Sequence, residues 1–343
     1  VDTNGDLIRA SIASAGNDHR LGANEAPPAI ISVYLGEMLS DIVAQLEKGV
    51  PTRTLTGGDL DLGAKSLPQI PRHSGDRNRT SPFAFTGAKF ELRAVGSSAA
   101  PAWPLTVLNT IVADSLSHLA DELERAVDAE PGTEAFTKQV VGVLGPIAST
   151  HKRVIFDGDN YSKEWEEEAT RRGLPNLRDT VSATSRLATD EAIGLFERQR
   201  VLSRNEMLSR HNAFLEKYAM QLRIEADQML EIAQTMILPA AYRQQRELGE
   251  AVNATQGADV QCSDTREALE EYAQLVARFR EATRALEQAL PSEHADPVAF
   301  ATAMRDRVLP RMEDLRTLGD ALERLTAADL WPLPSYSKLL SIR

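Results

Sequence analysis

Three stretches of this chain carry charged side chains at spacings that could do chemistry. In Lys89-Phe90-Glu91-Leu92-Arg93 the strict alternation predicts a strand, with Lys89, Glu91 and Arg93 on one face and Phe90 and Leu92 on the other. Such a face is the ordinary exterior of a one-sided sheet. It also suits a Mg²⁺–nucleotide reaction, in which a carboxylate holds metal while cations neutralise phosphoryl oxygens. In the stretch from Gly16 to Pro28, Gly22 and Pro27-Pro28 punctuate the backbone against helix or strand, so Arg20 and Glu25 sit on a shaped loop. They could be a surface carboxylate and its screening cation, or groups presented to a ligand. His19 could serve as a base, though a lone loop histidine is more often a hydrogen-bonded bystander. In Asp76-Arg77-Asn78-Arg79-Thr80-Ser81-Pro82-Phe83-Ala84-Phe85, the two arginines could fork onto a carboxylate or phosphate, or form a solvated local pair with Asp76. Phe83 and Phe85 read as core anchors.

The elements that must position these groups change in kind near residue 105. Before it, Gly and Pro recur every few residues. Residues 29–47 read as mainly helix with a possible strand start, and 51–75 as a long loop rich in Gly, Pro, Asp and Thr. After it the pattern is almost wholly helical. Leu105 to Val127 has three- and four-residue apolar spacing and ends at Glu130-Pro131-Gly132. A short charged helix runs from Tyr161 to Arg172 and stops at Gly173 and Pro175. Ser203-Arg204-Asn205-Glu206 matches a capping box and opens a stripe that runs to Pro239. Two further helices are expected over about 263–289 and 297–327, the second with Asp296-Pro297 as cap and first helical residue. The expected arrangement of this part is an antiparallel helical bundle.

Bulk properties exclude several classes. The chain has 343 residues, enough for two domains, and a net charge of −12, which argues against a nucleic-acid surface. A single cysteine, Cys262, forms no internal disulfide, in keeping with a reducing, cytoplasmic setting. No apolar run is long enough to span a bilayer, and the N-terminus lacks the basic-then-apolar form of a signal peptide. The phosphate-loop, dinucleotide, zincin and nucleophile-elbow motifs are missing.

The order of the weak signals carries more than any one of them. Arg20-Leu21…Glu25-Ala26-Pro27, then Asn78-Arg79-Thr80, then Lys89-Phe90-Glu91-Leu92-Arg93, then Ala102-Trp103-Pro104-Leu105 resembles the succession found in glutamine synthetases. The helical remainder resembles the C-terminal extension of their type III branch, including Phe156-Asp157-Gly158-Asp159-Asn160-Tyr161-Ser162, Gly173-Leu174-Pro175-Asn176-Leu177 and Trp331-Pro332-Leu333-Pro334. The resemblance implies an α+β fold in which residues 1–115 are the last part of the catalytic domain and 116–343 an all-α helical domain. It implies a ligase of nitrogen metabolism that makes glutamine from glutamate and ammonium through γ-glutamyl phosphate, using ATP and Mg²⁺ or Mn²⁺. Carried across, Glu25 would help deprotonate ammonium and shield the acyl phosphate, and Arg79 would neutralise phosphate charge. Arg20 and Arg93 would bind the glutamate carboxylate and the transferring phosphoryl group. Glu91 would be a metal ligand, and Lys89 would lie near the nucleotide phosphates. A ring-type homo-oligomer is implied, with no nucleic-acid or membrane partner.

The sequence departs from the family pattern in places. The interval from Arg20 to Glu25 is one residue short, 36–75 is an insertion, and a second arginine expected soon after Arg79 falls near Ala84. The family's ATP-site carboxylates, metal-binding histidine and β-grasp domain are expected before Val1, so the chain on its own is expected to be inactive. A ligase of the same fold acting on another amine, and a helical assembly module without chemistry, are the competing readings.

Overall fold

The computed structural model describes residues 1–20, 29–49, 59–60, 70–71, 81–94, 96, 99–291, 296–334 and 336–341; side-chain surroundings are not described at 59–60, 70–71 and 336–337. Helices α1 (Gly5–Ser11) and α2 (Ala15–Asp18) lead, followed by β1 (Val33–Tyr34) and α3 (Gly36–Glu47). Two-residue strands β2 (Asp59–Leu60) and β3 (Ile70–Pro71) pair antiparallel within the stretch read as one long loop. Then come β4 (Phe83–Phe85), β5 (Phe90–Leu92), α4 (Ala102–Ala126), α5 (Glu134–His151), α6 (Lys163–Arg171), α7 (Thr180–Thr184) and α8 (Asp190–Arg198). The remainder is α9 (Arg204–Ile232), α10 (Leu238–Gly257), α11 (Ser263–Ala289), α12 (Pro297–Ala303), α13 (Leu309–Leu325) and α14 (Tyr336–Leu340). A small sheet followed by helices is the expected α+β class.

Packing divides the chain into two compact units, Val1–Phe214 and Leu215–Arg343. In the first, β1 pairs parallel with β4, and β4 pairs antiparallel with β5. The possible strand start within 29–47 is thus a two-residue strand, Val33–Tyr34, and helix begins only at Gly36. The β4–β5 hairpin closes through the Thr86 N–H donating to the Lys89 carbonyl at 2.8 Å. Gly87 takes φ +95° in that turn, a conformation that side chains resist. The sheet also gains a neighbour from far along the chain: Ile155 bridges Val33 in parallel, and Phe156 N–H donates to the Val33 carbonyl at 2.9 Å. The Asp157 carboxylate accepts from the Leu35 N–H and the Ser40 hydroxyl, both at 3.3 Å. The Phe156–Ser162 motif therefore belongs to the sheet unit by packing.

The main core of this unit joins Leu7, Ile8 and Ala10 of α1 to Val107 and Ile111 of α4, and to Ile193, Leu195 and Phe196 of α8. A smaller cluster gathers Ile30, Trp165, Ala169 and Leu174. Helices α3 and α5 cross at Gly145, where an added methyl would lie 2.8 Å from the Leu46 carbonyl oxygen; at Gly142 it would meet nothing within 4 Å. Helix propensity alone favours alanine at both positions by about 1 kcal/mol. Overpacking at a close backbone crossing costs about 1–3 kcal/mol. Gly142→Ala is therefore expected to raise the urea midpoint and Gly145→Ala to lower it, and midpoints that move together would refute the close crossing.

In the second unit, Phe279 of α11 lies against Gly319 of α13, and the Tyr272 hydroxyl bonds Thr326 Oγ1 at 2.7 Å. Contacts that descend one helix while ascending the other make the pair antiparallel, as expected. The stripe that was expected to stop at Pro239 continues through it. Residues Ala233–Ile237 form a π-turn, and Leu238 N–H reaches the Ala233 carbonyl, so the helix accommodates a proline that has no N–H to give. Met304–Val308 repeats the device ahead of Pro310. The Ser203–Glu206 capping box forms as expected, Ser203 N–H donating to Glu206 Oε2 at 2.8 Å. Asp296 caps α12 through Ala299 N–H at 3.1 Å. Cys262 is a buried free thiol. Among the described residues no helix is long and apolar enough to cross a membrane.

Candidate functional site

The charged face of β5 forms as its alternation required. Glu91 stands between Lys89 and Arg93, with one carboxylate oxygen bonded by Lys89 Nζ and the other by Arg93 Nε at 3.2 Å. Lys89 Nζ also donates to Thr86 Oγ1 at 3.0 Å. These bonds, that of Lys89 first, hold the Glu91 carboxyl below the usual carboxylate range, so it presents ionised hard oxygens. Ala84, near where the family pattern expects a second arginine, is fully buried and pairs with Glu91 across the hairpin. The cations beside Glu91 thus come from its own strand. The opposite face is less buried than expected. Phe90 is 46% exposed, and its ring lies 5.3 Å from those of both Phe83 and Phe85, so the two core anchors are half-buried partners of an exposed ring.

Arg20 is exposed just beyond α2, its N–H donating to the Asn17 carbonyl at 3.0 Å. The end of α2 lies against the chain three residues past Arg93: a methyl on Gly96 would fall 2.4 Å from Asn17 Oδ1, with Asn17 itself buried. The turn that precedes Arg20 therefore packs beside the chain just past Arg93. Glu25 and Arg79 lie outside the described residues.

Sequence reasoning missed what holds α2. Arg9 is 1% exposed, and its Nη2 faces Asp18 Oδ1 at 3.4 Å. Its Nε donates to the Leu177 carbonyl at 2.8 Å, while Nη1 is buried without a hydrogen-bond partner among the described residues. Asp18 also accepts the Thr180 N–H at 2.7 Å. Burial raises the Asp18 pKa, outweighing that bond and the Arg9 charge. No local pattern signals a pair completed 162 residues away.

As for a metal, Glu91 fits as a single oxygen ligand; no group of three or more His, Cys, Asp or Glu able to hold an ion occurs among the described residues. Further ligands would have to come from elsewhere.

The electrostatics give a pH expectation. Glu91, bonded by Lys89, and Glu168, bonded by Arg172 Nε at 2.7 Å, both have folded-state pKa values below their unfolded ones. Their stabilisation is full above the unfolded carboxylate pKa, about 4.3, and is lost as pH falls through the depressed folded values. Asp18, raised by burial, acts oppositely. Urea midpoints measured from pH 6 to 3 should fall, with a shallower fall in Glu168→Gln; equal slopes would refute the assignment.

Residues 139–256 match the glutamine synthetase C-terminal domain family. That match, with similarity to named glutamine synthetases along the whole chain, makes the chain similar to part of the proteins of the glutamine synthetase family. Over 100% of its length it is 39% identical to a type-3 glutamine synthetase of Dictyostelium discoideum, covering 47% of that protein. It is also 34% identical over 99% of its length to a glutamine synthetase of Bacteroides fragilis, covering 48% of it. A glutamine synthetase of Butyrivibrio fibrisolvens is 32% identical on the same terms of coverage. The chain spans about half the length of the curated relatives it matches.

Proposed function

We propose that this chain supplies the C-terminal part of an ATP-dependent glutamate–ammonium ligase. In this reading residues 1–115 complete the catalytic domain and 116–343 form the helical domain. The observation that carries it is a strand that holds Glu91 between two cations, with the turn before Arg20 packed beside the chain just past it. Arg20 and Arg93 take the glutamate carboxylate and the phosphoryl group in transfer, where positioning and charge neutralisation matter more than covalent help. Arg79 adds a further cation, and Lys89 faces the nucleotide phosphates. Glu91 would hold Mg²⁺ or Mn²⁺ through an ionised oxygen, and the bound ion would offset phosphate charge. Glu25 accepts a proton from ammonium, freeing ammonia to attack the acyl phosphate carbonyl and displace inorganic phosphate. The working assembly is a cytoplasmic ring of identical subunits.

The test uses the protein that carries this chain together with the segment preceding it in the relatives. Glutamine should form from ATP, glutamate and ammonium, while ethylamine and putrescine react poorly. Glu91→Ala should slow it about 10²-fold, the usual cost of one electrostatic group at a reacting centre. Reaction of another amine with none from ammonium, or a fully active Glu91→Ala, would overturn the reading.

A further inference from the structure

The buried pair Arg9–Asp18 lies outside the residues given roles above, and stability does not explain it. Arg9 is buried almost completely for an ion pair at 3.4 Å and one carbonyl bond, with Nη1 left over. Well-packed apolar side chains in place of a buried ion pair are often neutral or stabilising, whereas such pairs can specify a unique geometry. The geometry specified here is that of α2. This single turn is capped by Ser14 Oγ, which accepts the Asn17 N–H at 3.2 Å, and is too short to hold its own shape. Its other restraints are Asn17 Nδ2 donating to the Ile12 carbonyl, and Asp18, gripped by Arg9 on one side and the Thr180 N–H on the other. His19 and Arg20 follow, their N–H groups donating to Ala15 and Asn17 carbonyls at 3.2 and 3.0 Å. Arg20 is thus tied to the turn that Asp18 fixes, and that turn abuts Gly96 beyond Arg93.

We infer that Arg9 and Asp18 are positioning residues that set the Arg20 segment beside the chain that follows the Glu91–Arg93 strand, with Leu177 and Thr180 as their backbone seat. Both seat residues lie within 139–256, so a segment matched to the C-terminal domain family takes part in placing a substrate-binding cation. This rests on the proposed role of Arg20 in holding the glutamate carboxylate.

The informative variant is the double exchange Arg9→Met with Asp18→Asn, which removes both charges and leaves neither buried alone. In the protein carrying this chain and its preceding segment, KM for glutamate should rise at least tenfold. KM for ATP and saturating kcat should stay within about threefold. A merely structural role would lower kcat by reducing the active fraction and leave KM unchanged, and that outcome overturns the inference. Arg9→Lys keeps the charge but gives up the fork, so it should fall between wild type and the double variant; it also keeps the test alive if the double variant fails to fold. Amide exchange in the same proteins supplies the arm that does not depend on catalysis. His19 and Arg20 amides should lose protection at least tenfold in the double variant while those of α11 do not change. Unchanged protection at His19 and Arg20 would overturn the inference even with an active enzyme. If the wild-type protein makes no glutamine, the functional reading falls and amide exchange still decides whether the pair holds the segment.

Discussion

Trp165→Ala is expected to destabilise the chain by about 3–5 kcal/mol, the range for truncating a large aromatic in a core. Trp165 is 1% exposed; the Phe156 ring stacks on it at 3.8 Å with the planes 16° apart, and the Arg172 guanidinium carbon lies 5.5 Å from its ring centroid. Ala169, fully buried, Ile30 and Leu174 fill the rest of the cluster. Phe156 is also the residue whose N–H extends the sheet beside Val33, so the loss would loosen the edge next to β1. The indole N–H is buried without a hydrogen-bond partner among the described residues. Trp165→Phe forfeits no hydrogen bond and should cost less than half as much. Urea unfolding followed by circular dichroism measures both, and equal losses for the two variants would contradict this account of the cluster.

Asp18→Asn is expected to cost about 3–5 kcal/mol, and Arg9→Met distinctly less. Removing one partner of a buried ion pair leaves the other charge uncompensated. The two charges that can be stranded are not equivalent. A guanidinium stays protonated under all ordinary conditions, so Arg9 would remain charged against an amide. A carboxyl can neutralise itself, and burial already raises the Asp18 pKa, so Asp18 facing a methionine can take up a proton. Stability of Arg9→Met should therefore rise as the pH is lowered from 8 to 5, because the folded state binds that proton more readily than the unfolded chain. Chemical denaturation at several pH values tests both parts. If Arg9→Met proved the more damaging variant at pH 5, the argument from ionisation would fail.

What the sequence made legible was local in origin. Alternation over 89–93 placed three charges on one face, because a strand sends successive side chains to opposite sides. Ser203 with Glu206 and Asp296 before Pro297 marked helix starts through bonds that close within one turn. What stayed hidden depends on distant partners. The Phe156–Asn160 segment is polar and Gly-containing, and nothing local tells that it adds to the sheet beside Val33. Pro239 was a reasonable stop signal, yet a π-turn let the helix run through it. The Arg9–Asp18 pair has the same character: its neighbours at 177 and 180 are fixed only once the chain has folded. Ala84 shows the converse, a departure visible in sequence whose meaning became clear when it was found opposite Glu91.

The central claim is that Arg20, Glu91 and Arg93 serve transfer of a phosphoryl group to the glutamate side chain. Oxygen exchange within ATP tests this without any amine present. Attack of the glutamate carboxylate on the γ-phosphorus releases ADP, whose β-phosphate can rotate before the reverse step re-forms ATP. Label placed in the β,γ-bridge should therefore scramble into the β-nonbridging positions, only when glutamate is added, and Arg93→Ala should slow it about 10²-fold. Absence of glutamate-dependent scrambling in the wild-type protein, or scrambling untouched by Arg93→Ala, would contradict the account.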